Sequence, residues 1–443
     1  MTELSKHTRK AVSANATTIA ASMSMGNSAL ARQRNHQLKH FMQPGTDSLL
    51  PVSTARYGFS LAQYQQAHRL FSPAHYQMGG DDALIYNSKL NEFLPSSMVK
   101  PLSVNNVLPR EINEQIAMLS CKSTGGMKQS LSEYIAMPTS RIQGVMIVQS
   151  GTIVFDDYPG MDPDDKHVWM ELSRNTVGMV FSQFISEGIV ALDKSISVYL
   201  PELLGTDWDL VSVRDALCHK TGLNVTHNIQ TLFDPKSNIA RFLAAEFGQA
   251  VSNAAPKEHW LDVVKQIERV PGTKAGECTS HSAITVAVLT YMAERIDNVP
   301  WTTLFQTRVW GHIKAKAPML VSLAPDGSAI SHGLTLSTLE DAARFAMLFT
   351  PSWKSIAVKP GLPLQWLQAF SRPLQPAKFK STDVFQVNKV FEDGARYLQG
   401  AFGQGMYVDP KRDFVAVYFS SQDNAYGDED NAMMRYFRLA SRL

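Results

Sequence analysis

The 443-residue chain reads as an α+β protein, an α/β sandwich in which helices cover an antiparallel sheet assembled from distant parts of the sequence. Two observations predict this. Runs of β-branched and apolar residues stand far apart, at 144–157 (GVMIVQSGTIVFDD) and 405–421 (GMYVDPKRDFVAVYFSS). Between them lies a block of segments with apolar residues at helical spacing.

Local chemistry justifies each element. LSEYIA (131–136) is a short amphipathic helix. Within 144–157 the two runs flank Gln149-Ser150-Gly151, a hairpin signal. Along VWMELSRNTVGMVFSQFISEG (168–188), Val177, Val180, Phe181, Phe184 and Ile185 share one helical stripe. Ser173, Ser182, Gln183 and Glu187 lie off that stripe, and Gly188 is the stop. ALDKSISVYLPEL (191–203) ends at a proline turn, and VSVRDALCHKTGL (211–223) is a short helix closed by Gly222. AITVAVLTYMAERI (283–296) is amphipathic. In TLSTLEDAARFAMLF (335–349), Ser337 is the expected N-cap, with Glu340 at capping-box spacing. Asp409-Pro410-Lys411-Arg412 joins the last two strands, and AMMRYFRLASRL closes the chain as a helix. No internal repeat is visible.

Composition narrows the function. A net charge of +2 gives no electrostatic argument for nucleic acid or an acidic membrane surface. Cys121, Cys218 and Cys278 form neither a disulfide framework nor a zinc-spacing motif. No apolar run approaches the roughly 18 residues of a membrane span. The expected partner is a small-molecule substrate or ligand, with no metal, cofactor, nucleic acid or membrane, and the oligomeric state is not readable. Residues 1–50 read as a flexible leader, 51–130 as an extension packing on the core, and 131–443 as the main domain. The leader runs from basic residues at Lys6–Lys10 to a small-residue stretch ending in Ala-Leu-Ala, but Ser13, Asn15, Ser22, Ser24 and Asn27 interrupt its middle. The expected location is cytoplasmic, with a periplasmic alternative should this be a weak signal peptide.

Several segments, in one shared order, resemble the serine beta-lactamase and penicillin-binding-protein family. EGIVALDKSISVYLPEL resembles its Glu-Gly-x-Leu-x-Leu-Asp stretch ending in Tyr-Leu-Pro-Glu-Leu. VSVRDALCHKTGL resembles its His-Thr-Ser-Gly-Leu segment, and SHGLTLSTLEDAARFAMLF its Thr-x-x-Asp-Leu-Ala-Arg-Phe helix. GAFGQGMYVDPKRDFVAVYFSS resembles the branch containing 6-aminohexanoate-oligomer hydrolases. The resemblance covers roughly residues 130–443 and implies a beta-lactamase-like sheet flanked by helices, an all-helical lobe, and an active site between them.

In that family a Ser attacks a carbonyl, and a Lys with a Tyr or His moves the proton. Counting back from Gly188 puts Glu171 at the Ser position and Arg174 at the Lys position. Counting from Pro271 puts Glu277 at the Tyr position, and Phe402 stands where Gly-x-His-Gly-Gln has its His. Arg keeps its proton and cannot replace Lys as a base.

The expected catalytic set is therefore Glu171, Arg174 and Glu277, with Phe402, Gln404 and His281 as substrate contacts. Two neighbouring carboxylates divide acid and base roles, and Arg174 clamps a substrate carboxylate. This predicts a lyase, hydratase, isomerase or water-activating hydrolase on a small carbonyl or carboxylate compound. One alternative is a hydrolase using a shifted nucleophile, Ser173. Another is a non-catalytic ligand-binding protein. The ordinary reading of Glu171 and Arg174 is a surface i,i+3 ion pair worth a few tenths of a kcal/mol. Cys278 beside His281 reads as structural, as does His219, His332 reads as a loop histidine, and Trp169, Trp260, Trp301 and Trp310 as core residues or as lining a hydrophobic cleft.

Overall fold

The computed structural model describes residues 50–122, 128–370, 384–385, 387–422 and 432–443. The expected leader, 1–50, lies outside the described residues except for Leu50. The main sheet has six antiparallel strands in the order Thr152–Asp157, Ile142–Gln149, Phe414–Ser420, Gly405–Asp409, Arg396–Gln399 and Lys389–Val390. Early and late segments therefore pair at its centre, where Val415 faces Val148 and Val417 faces Met146.

The central strands lack a polar alternation because both faces are covered. Every residue of Phe414–Ser420 is buried. Val145, Ile147, Ala416 and Tyr418 pack towards the C-terminal helix Ala432–Ala440. Met146, Val148, Val415 and Val417 face the other way, into a larger core shared with the helices. The helix Leu339–Met347 lies on that side.

The expectation of one sheet needs correction. A second, four-stranded sheet runs Ser96–Val99, Met319–Ser322, Thr335–Ser337 and His167–Val168, and Ser120–Lys122 pairs separately with Lys128–Ser130. Strands this short carry no readable period of two. The 335–349 segment shifts accordingly: Ser337 is in a strand, and Thr338 is the N-cap, accepting from Asp341 N–H at 3.1 Å.

The helix expected across 168–188 begins later, as Arg174–Ser186, after a tight turn Met170–Ser173 in which Met170 is left-handed (φ 49°). Residues from Arg174 to Ser182 are all buried, so the polar face expected there does not exist. Its polar side chains bond back to the helix: Asn175 Nδ2 donates to Leu172 O, Thr176 Oγ1 to Ser173 O, and Ser182 Oγ to Met179 O. Gly178 admits a close neighbour, since a Cβ there would stand 2.4 Å from Val384 O.

Residues 51–99, which show little pattern, hold helices Ser53–Tyr57, Leu61–Leu70, Pro73–Met78 and Asp82–Lys89. Ser60 and Ser72 cap the second and third, each accepting a backbone N–H. Tyr76, Tyr86, Phe71 and Phe93 form an aromatic cluster that reaches Phe402 and Met170. Asn87 fixes this layer to the main domain by donating to Ser421 Oγ at 2.9 Å.

Candidate functional site

Three chain segments meet around Glu171. Strand His167–Val168 pairs with Thr335–Ser337, and the chain then turns through Met170–Ser173. The turn following Arg396–Gln399 crosses above it. Gly400 permits that crossing, because a Cβ there would lie 3.0 Å from both Glu171 N and Met170 Cβ. The adjacent Ala401 N–H donates to Glu171 Oε2 at 2.6 Å. Arg174 Nη2 stands 3.7 Å from Glu171 Oε1, with the Glu171 side chain 17% exposed. One carboxylate oxygen is thus held by a backbone donor while the other faces a guanidinium.

The third segment is 331–335. Gly333 packs against the Met170 backbone, and Thr335 Oγ1 bonds Ser173 Oγ at 2.7 Å. His332 immediately precedes these contacts and places Nε2 2.8 Å from Glu246 Oε2. Glu246 ends the helix Asn238–Glu246, and both partners are buried.

Histidines surround this centre. His281 is exposed, with its ring 5.1 Å from that of His219. Desolvation first, then the Arg174 charge, lower its pKa to about 4, against an opposing effect from Glu171. His227, partly exposed, is likewise lowered to about 4, mainly by desolvation; Glu171 opposes that shift, whereas Arg174 and His332 add to it. Both rings are therefore neutral at pH 7. Burial, then Glu171, raises the Tyr76 phenol well above its ordinary value.

The structure brings together Glu171 and Arg174 and puts His281 within electrostatic reach of both. Other expected residues are placed differently. Glu277 is exposed and accepts Lys274 N–H at 2.9 Å, capping its own turn. Ser173 is buried and bonded to Thr335. Gln404 is buried, its amide donating to Ser420 O and accepting from Ser420 N–H, so it joins strand ends. Phe402 is buried and left-handed (φ 57°), with its ring 5.6 Å from Tyr76. His219 takes a structural place, accepting Ser282 N–H on Nδ1. Trp169, Trp260, Trp301 and Trp310 are all buried in the core. Among the described residues no cluster of His, Cys, Asp and Glu has metal-binding geometry, and no helix is long and apolar enough to cross a membrane.

Tyr76, His227 and Glu246 escape the sequence reading, which takes His332 as a loop histidine only. Only His332 offers a signal, a histidine beside a glycine that packs on the Met170 turn.

Comparison with known proteins agrees with this architecture. A 6-aminohexanoate-dimer hydrolase of Paenarthrobacter ureafaciens is 23% identical over 294 residues, which span 62% of this chain and 71% of the relative. A Bacillus anthracis structure described as a 6-aminohexanoate-dimer hydrolase shares the fold with a TM-score of 0.69 at 16% identity, covering 81% of this chain and 93% of the other. The model of the beta-lactamase family matches residues 136–439, more than half of the sequence, and the chain belongs to that family.

Proposed function

We propose that this member of the beta-lactamase family is a hydrolase that activates water against a small amide or ester, with Glu171 as the proton acceptor. The carrying observation is the carboxylate itself, oriented by Ala401 N–H and Arg174 yet still reached by solvent. The choice of an amide or ester draws on what the relatives are called, 6-aminohexanoate-dimer hydrolases.

In the proposed reaction a water oxygen bonds to the substrate carbonyl carbon as its proton passes to Glu171. Arg174 draws charge from the developing oxyanion or holds a substrate carboxylate. The neutral rings of His227 and His281 supply hydrogen bonds without adding charge. Ser173 is not assigned the nucleophile, since its hydroxyl is buried against Thr335. Glu277 is not assigned the second proton-transfer role, since its carboxylate caps a surface turn.

The test is Glu171→Gln, which keeps an oxygen for Ala401 N–H and removes the charge. Hydrolysis of the 6-aminohexanoate linear dimer and of p-nitrophenyl butyrate is expected to fall by about 10²–10⁴-fold. Unchanged turnover would refute the assignment. A second reading, a non-catalytic binder, is favoured by one fact: Ala401 N–H is already occupied by Glu171. Equal ligand binding by wild type and variant, with turnover in neither, would establish it.

A further inference from the structure

The buried Glu246–His332 couple has no part in the reaction so far. Its place is unusual. His332 precedes Gly333, where an added Cβ would stand 3.8 Å from the backbone of Met170, the residue before Glu171. Two residues further on, Thr335 is tied to Ser173. Segment 331–335 is thereby fixed against the Glu171 turn on two sides. The start of the segment is fixed as well, because Ser331 Oγ bonds Thr290 Oγ1 on helix Ala283–Asp297.

The ring of His332 is held from one side only. Nε2 is engaged by Glu246 at 2.8 Å. Among the described residues no hydrogen bond reaches Nδ1, and the residue is buried but not completely, at 7% exposed. A carboxylate on one ring nitrogen fixes the imidazole and leaves the other nitrogen to exchange a proton. Burying a carboxylate is expensive unless it is paired, and Glu246 is paired with this ring. The pair also stands near the site, since the His227 ring feels Glu171, Arg174 and His332 together.

We infer that His332 is the second proton-transfer group of the Glu171 site, delivering a proton from Nδ1 to the leaving group, and that Glu246 is its positioning residue. This rests on the hydrolytic reading above. The bond from the carbonyl carbon to water oxygen forms, and the bond to the leaving nitrogen or oxygen breaks. The water proton goes to Glu171, the leaving group takes a proton from His332, and exchange with solvent returns both groups to their starting states. No other reactant is required.

A general acid matters most when the leaving group is poor. An amine is a poor leaving group, whereas p-nitrophenolate leaves without help. The full-length protein and its His332→Gln, Glu246→Gln and Glu171→Gln variants are therefore assayed on both the 6-aminohexanoate linear dimer and p-nitrophenyl butyrate. His332→Gln is expected to lose about 10²-fold or more on the amide and only a few-fold on the ester. Glu246→Gln is expected to follow it in the same direction. The ratio of the two rates cancels any loss of folded protein, so a variant that folds poorly still reports. Equal losses on both substrates, or none, overturn the inference while leaving Glu171 in place. If Glu171→Gln leaves both rates unchanged, or the wild type hydrolyses neither substrate, the hydrolytic reading fails and takes this inference with it.

Discussion

Ser173 is the sharpest point at which structure and chemistry can be separated. Its hydroxyl and that of Thr335 are 2.7 Å apart, and both residues are buried. Ser173→Ala removes one partner and leaves the Thr335 hydroxyl in a dry environment. Losing a hydrogen bond costs about 1 kcal/mol, and stranding a buried polar group costs about 1–3 kcal/mol. Unfolding in urea should therefore show Ser173→Ala destabilised by about 1–3 kcal/mol. Thr335→Val should lose a similar amount, because it strands the serine. The double variant should lose less than the sum of the two, with a coupling of about 0.5–2 kcal/mol. Hydrolysis per folded molecule should stay within a few-fold of wild type. The reasoning is refuted by the opposite pattern: unchanged stability, abolished turnover, and covalent capture of Ser173 by a fluorophosphonate.

Gly178→Ala should lower the stability measured by urea unfolding by about 1–3 kcal/mol, because the clash with Val384 O outweighs the roughly 1 kcal/mol gained in helix propensity; a higher urea midpoint would show that the contact yields. Asp341→Ala should cost on the order of 3 kcal/mol, since the buried carboxylate accepts the N–H groups of Lys316 and Ala317 at 2.6 and 3.0 Å, and a loss below about 1 kcal/mol would contradict that. Glu294 is raised to about 7, first by desolvation, with Trp301 N–H opposing and Asp326 adding. A raised acid favours folding below the unfolded value of 4.5, and that advantage fades as pH rises towards 7. Glu294→Gln should therefore be more stable than wild type at pH 8, by on the order of 1–3 kcal/mol, and should lose this lead near pH 4.5; a difference independent of pH would sink the assignment.

The parts of the fold that can be read from sequence are those with long patterns. The hairpin at Ile142–Gln149 and Thr152–Asp157, the terminal strand pair and the helix Ala283–Asp297 each carry enough residues for their period to show. The second sheet carries too few, as His167–Val168 has only two residues. Its absence from the sequence reading also displaced the start of the helix after it, because pairing with Thr335–Ser337 holds the chain extended up to Val168. Glu171 and Arg174 were legible as a pair because residues spaced three apart in a helical turn share a face, whatever kind of turn that is. Glu277 was placed by counting alone, and counting cannot see that its own turn claims the carboxylate. His332 and Glu246 lie 86 residues apart in sequence and meet only in the folded chain. No local period reports such a meeting.

The aromatic layer from residues 51–99 bears on where this protein begins to be itself. Phe402 adopts a left-handed backbone that costs a bulky residue about 1 kcal/mol or more, and Tyr76 is the ring laid against it. A fragment trimmed to 136–439, the span shared with its family, would keep every strand of the main sheet and still lack that ring. The turn carrying Ala401 N–H would then lose an outer wall. What looks in the chain like a preface is, in three dimensions, a panel laid over the turn that carries Phe402.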